Sequence, residues 1–211
     1  MLQLIRHELD GGDEKLAELV YKVASGRVGD SGKRLAEEIK RVEKERAKAE
    51  KEQDKKGKGK GKGEGKAETN GANGHFDPTR DPSVAPALAE HTGLLRLLGY
   101  LARPSSQSLL VKESNEERPR PVRFAAIAAL RRIVAASEAK GTEAAIEALI
   151  EYADGDDLGI AQAAIDTLRG ARIPEKLAKP FAALARSKNP SAQKLAMERL
   201  PAGGGAGAVK A

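Results

Sequence analysis

The side chains that most often carry chemistry are scarce in this chain. Cysteine is absent from the 211 residues and histidine occurs three times, at His7, His75 and His91. Without cysteine there is no disulfide, no thiolate metal site and no thiol nucleophile. A serine–histidine–carboxylate arrangement would have to draw on His75 or His91, and nothing in the sequence positions either. The glycines between Gly57 and Gly65 lack the preceding strand of a phosphate loop, and their spacing comes from low complexity. What remains is guanidinium. Arg118, Arg120 and Arg123 open one segment and Arg131 and Arg132 close it, a residue type suited to forking carboxylates or phosphates. The expectation is a binding protein, not an enzyme, with no cofactor and no metal.

Those arginines need an element to hold them. Arg120 to Val134 has proline in its first turn, then Ala, Ile, Leu and Val at helical spacing, and reads as one helix packed on several neighbours. Hydrophobic residues make up 40% of the chain but aromatic ones only 3%, which favours close helix–helix packing over a sandwich or barrel. The expected fold class is all-α. No apolar run reaches the length of a membrane span, and acidic residues come too early for a signal peptide, so no membrane association and a cytoplasmic location are expected. The formal charge of +6 is spread over the chain: residues 1–54 carry 12 basic and 13 acidic side chains, residues 55–86 carry 7 and 4, and residues 87–211 carry 18 and 14. Neither positive part is charged strongly enough to demand nucleic acid.

Residues 1–54 read as an N-terminal helical segment. Leu2, Ile5 and Leu9 share a face that Gly11-Gly12 ends. Asp13 caps a second helix with Leu16, Leu19, Val20 and Val23 as its stripe, and Ser25-Gly26 stops it. A third helix starts near Ser31, with Leu35, Ile39 and Val42 apolar, and frays into a charged end. Residues 55–86 read as a disordered tether. Alternating Lys and Gly up to Lys66, and polar residues through Ser83, cannot offset their ordering entropy, and the root-mean-square reach is on the order of 30 Å.

From residue 87 paired helices are predicted: 91–102, a short one capped by Ser105 or Ser106, the central helix, 143–152, 158–173, 174–187 and 190–201, before a tail at 203–211. Leu95, Ile127, Ile165 and Met197 occupy one recurring position and Leu98, Leu130, Leu168 and Leu200 another, separated by 32, 38 and 32 residues. Ala126, Ala164 and Ala196 match as well. A single hairpin of this kind cannot cover its own apolar face, so each must stack on the next.

Pro121-Val122-Arg123-Phe124-Ala125-Ala126-Ile127-Ala128-Ala129-Leu130 resembles the second-helix signature of HEAT repeats, and Asp157 to Leu168 and Asn189 to Ala196 match it more loosely. The resemblance covers 87–202 and implies a short α-solenoid of HEAT-like hairpins used as a binding surface. In this family Arg123 would pair with an acid of a neighbouring turn, such as Asp156 or Asp157. Hydroxylases of this fold hold iron through several His-Glu pairs, whereas His7-Glu8 is the single such dipeptide here and Glu90-His91 is reversed. Glycosylases of this fold use aromatic residues around an exposed nucleotide, and this chain has no Trp. The resulting expectation is a non-enzymatic scaffold binding another protein, with Arg118, Arg120, Arg131 and Arg132 as candidate contacts and self-association as a further use of an open end. Nucleic-acid binding by the Lys/Gly tether and the arginines is the alternative.

Overall fold

The computed structural model describes residues 13–57, 76–137 and 141–199, with side chains omitted for 53–57. The described residues form eight α-helices and no strand: α1 Glu14–Gly57, α2 Ala85–Leu101, α3 Gln107–Glu113, α4 Arg120–Ala136, α5 Glu143–Ala153, α6 Leu158–Gly170, α7 Ala178–Ala183 and α8 Pro190–Arg199. The expected helix at 1–9, most of the Lys/Gly run, His75, Leu200 and the tail lie outside these residues. No described helix is long and apolar enough to cross a membrane. The described residues fall into two compact units, Val28–His91 and the residues before and after it.

Two predicted N-terminal helices are one. Asp13 accepts from the amides of Lys15 and Leu16, as its capping role requires, but α1 then runs unbroken through Ser25 and Gly26. The Ser25 hydroxyl donates back to the Tyr21 carbonyl at 2.8 Å, the i−4 bond that a serine inside a helix can make. Joining the segments also corrects the buried stripe. The buried positions Ala24, Val28, Ser31, Leu35 and Val42 follow a heptad-like spacing, which leaves Leu19 and Val23 exposed and Ile39 half-buried.

In the Val28–His91 unit the chain returns antiparallel to α1. Arg46 lies over the Phe76 ring at 4.0 Å, Arg34 pairs with Glu90 at 2.7 Å, and Ser31 meets His91 at 2.8 Å. Residues 76–86, expected as tether, carry structure. Asp77 caps a 3-10 turn at Pro78–Arg80, Asp81 binds Ser83, and Val84 is fully buried. The Ser83 hydroxyl and amide on Asp81 hold that carboxyl below its usual range.

In the other unit α3 packs on α4, α5 on α6, and α7 with its following turn on α8. First helices also touch first helices, α3 on α5 and α5 on α7, while α4 touches α6 and α6 touches α8. Leu95, Leu98, Ile127, Leu130, Ile165 and Leu168 are all buried, each contributing about 1.5–3 kcal/mol of transfer free energy. Met197 departs from this set. It is 66% exposed on α8, where Leu195 and Ala196 take the buried positions.

Smaller differences have local causes. Ser105 and Ser106 make no cap: Ser105 donates to the Tyr21 hydroxyl and the Ser106 hydroxyl is buried without a partner. The single helix expected at 174–187 is a 3-10 turn, α7 and a second 3-10 turn, because Pro180 has no amide to bond the Lys176 carbonyl. Gly99 permits a backbone-to-backbone approach, since a Cβ there would lie 2.5 Å from the Ala129 Cα.

Candidate functional site

The helix pairs are tied by polar bonds between residues some 30–40 positions apart in sequence. The Gln107 side chain on α3 accepts from the Ala145 amide at 3.0 Å, in the first turn of α5, and donates to the Gly141 carbonyl. It does the capping that Thr142, buried and unbonded at its hydroxyl, does not. Ser114 meets the Tyr152 hydroxyl at 3.0 Å, again 38 positions on. Ser187 donates to Asp154, and the Asn189 side chain lies 3.4 Å from the Ala153 carbonyl. Arg199 places its fork on the α6 terminus, donating to the carbonyls of Leu168 at 3.1 Å and Ala171 at 2.8 Å, which favours the negative end of that helix.

Two candidate contact arginines belong to this internal network. Arg120 forks Asp157, with Nε 2.9 Å from one carboxylate oxygen and Nη2 3.1 Å from the other, while its guanidinium lies over the Phe124 ring. Asp157 also caps α6 through the amides of Gly159 and Ile160. Hydrogen bonding from Arg120 is the main cause that brings the Asp157 carboxyl down to about 2, and the same bond raises Arg120. Arg118 pairs at 2.9 Å with Glu113, whose side chain is buried. Arg131 and Arg132 differ: both are exposed on α4, and among the described residues neither reaches a carboxylate.

Arg123 sits deeper. Its side chain is 11% exposed, Nε donates to the Ser114 carbonyl at 3.2 Å, and Nη1 stands 4.0 Å from Asp157. Beside it, between the turns that follow α3 and α5, opens a cleft of about 490 Å³. Its wall includes Glu116, Glu117, Arg123, Glu151, Tyr152 and Asp157. No local pattern marks Glu116, Glu117 or Glu151, because glutamates of a polar turn and of a helix face meet only when one helix pair lies on the next.

His91 is positioned after all, inside a helix seam. It is 1% exposed and its Nδ1 lies 2.8 Å from the Ser31 hydroxyl, whose own proton goes to the Val28 carbonyl at 3.0 Å. The pair fastens a buried helix seam. Among the described residues no group of three or more His, Cys, Asp or Glu side chains is arranged to hold a metal ion. No family model, no curated protein and no solved structure matches this chain.

Proposed function

We propose that residues 87–202 are a short HEAT-like α-solenoid serving as a non-enzymatic scaffold that binds another protein. The observation that supports this reading most is the one-repeat spacing of the inter-hairpin bonds. Gln107 to Ala145 and Ser114 to Tyr152 are each 38 residues apart, and Arg120 to Asp157 is 37 apart. Equivalent positions touching across hairpins is what translation along a solenoid produces. Such a stack offers rows of turns and helix faces, a surface suited to extended contacts with a polypeptide.

Nucleic-acid binding is the second reading, and it rests on Arg131 and Arg132, which stay exposed and unpaired among the described residues. Arg118 and Arg120 are already held by Glu113 and Asp157.

The test is affinity capture of the full chain from nuclease-treated lysate, followed by reconstitution with the purified candidate and cross-linking. A stoichiometric protein that binds directly and cross-links within 107–199 is expected, and a variant lacking 55–66 retains it. Recovery of only nucleic-acid-associated proteins, lost with nuclease or with 55–66, overturns the scaffold reading in favour of the second.

A further inference from the structure

The first turns of α1 are apolar on two sides. One side is met: Ala24 is buried, the Tyr21 hydroxyl accepts from Ser105 at 2.8 Å, and Glu18 binds Arg103, whose guanidinium lies over the Tyr21 ring. At about 100° per residue, Leu16, Leu19 and Val23 fall on the other side. Leu16 is half-buried, but Leu19 is 59% and Val23 51% exposed, two large apolar side chains one turn apart in water.

This stripe is short. Along the same side α1 continues with Gly26 and Asp30, both exposed. From Leu16 to Val23 is about 10 Å of helix. Two copies joined through α1 would need a stripe that ran on, and three side chains fall far short of the roughly 20–30 residues a side of a standard interface. A short apolar segment fits the length.

The chain carries one beside it. Leu2, Ile5 and Leu9 repeat the spacing of Leu16, Leu19 and Val23, three residues and then four. No other stretch outside the described residues offers a comparable stripe. Residues 58–75 hold no Leu, Ile, Val, Met or Phe, and in 200–211 Leu200 and Val209 stand on either side of Gly203-Gly204-Gly205. The connection suits a reversal. Asp13 fixes the start of α1 by accepting from the amides of Lys15 and Leu16, so a change of direction falls just before it. Asp10-Gly11-Gly12-Asp13 has the usual length for a link between antiparallel helices, and its glycines are free to take left-handed conformations.

We propose that residues 2–9 dock antiparallel on the outer side of α1, with Leu9 at Leu16, Ile5 at Leu19 and Leu2 at Val23. This pairing does not depend on what the stacked helices bind.

The test uses the absence of cysteine from the chain. Ile5→Cys and Leu19→Cys introduced together into the full chain are then its only thiols. Mild oxidation of dilute protein is expected to join them within one molecule, read as a linked peptide by mass spectrometry. Gln3→Cys with Leu19→Cys keeps the same tether but lies off the stripe, and is expected to join about tenfold more slowly. In a separate chain carrying Val23→Cys, adding Ile5→Asp is expected to raise the rate of reaction with a water-soluble thiol reagent several-fold, and adding Gln3→Asp is expected to leave it unchanged. Equal joining from positions 3 and 5, or equal thiol rates with and without Ile5→Asp, overturns the docking. A disulfide between two molecules, or protection of position 23 that grows with protein concentration, overturns it in favour of a second copy.

Discussion

In the Val28–His91 unit, α1 buries a narrow stripe of Val28, Leu35 and Val42, and the returning segment answers with Val84 and with polar pairs at Ser31–His91 and Arg34–Glu90. In the stacked hairpins, α4 alone buries Val122, Ala125, Ala126, Ile127, Ala129, Leu130, Ile133 and Val134. The difference is one of how many sides of a helix are covered. A helix met on one side needs a heptad-like seam and directional bonds to fix its register. A helix met on several sides is fixed by shape, and alanine serves it well because close approach gathers more contacts than bulk does. Each unit should therefore fail in its own way.

The largest effect belongs to the hairpins. Leu168→Ala removes a fully buried side chain and is expected to cost about 2–5 kcal/mol. Met197→Ala is expected to fall within about 0.5 kcal/mol of zero, since the side chain already faces solvent. Urea denaturation of the two variants decides whether this side of α8 faces solvent. A Met197→Ala loss as large as that of Leu168→Ala would mean that something covers this face.

The seam of the other unit is the next target. Ser31→Ala removes the hydroxyl that the buried His91 Nδ1 meets, with an expected loss of about 1–3 kcal/mol. A double-mutant cycle with His91→Ala separates this bond from the packing of the ring. A coupling near zero would show that apolar contact alone holds the seam.

How much of this was legible in the sequence follows the same division. Helices α4, α5 and α6 lie within a few residues of their predicted bounds, because their alanine-rich periodicity and the Asp157 cap are local signals. The Ser31–His91 bond joins residues 60 apart, and nothing local marks it. Ser25-Gly26 misled for a physical reason. Both residues favour helix ends on average, yet the heptad-like seam of α1 outweighs a glycine cost of about 1 kcal/mol. At the candidate site Arg123 comes within 4.0 Å of Asp157, one of the two acids expected beside it. The fork of Arg120 on Asp157 had no local signal, because its geometry depends on how α4 lies against the α6 cap. Nor did any local pattern bring Glu116, Glu117 and Glu151 to one cleft.

A pH titration sharpens the comparison at the join between hairpins. The Asp157 carboxyl is held at about 2 when folded, against 3.8 as the ordinary value. A depressed folded value contributes stability that is present above about pH 4 and lost as pH falls towards 2. Because Arg120 is more than half exposed, solvent screening reduces the contribution to about 1 kcal/mol. Asp157→Asn keeps an acceptor for the α6 amides and removes the charge. The stability gap between wild type and this variant is expected to be open at about pH 6 and to narrow as pH falls below about 4. A gap that does not change with pH would assign the role of Asp157 to capping alone.

The smallest effect tests the continuity of α1 itself, and its sign carries the answer. Gly26 and Gly29 lie inside the helix, neither has positive φ, and a Cβ at either position would meet nothing within 4 Å. Alanine there lowers the entropy of the unfolded chain without strain, so Gly26→Ala and Gly29→Ala should each stabilise by about 0.5–1 kcal/mol. At a helix terminus the same change would act in the opposite direction, because a glycine in the left-handed cap conformation resists any Cβ. Gly32→Ala supplies the internal control. Its Cβ would come within 3.2 Å of the His91 ring, so the propensity gain is offset by crowding in the seam. Stabilisation at 26 and 29 but not at 32 is the pattern of one unbroken helix with a single buried side, and destabilisation at 26 would return the chain to two helices joined at Ser25-Gly26.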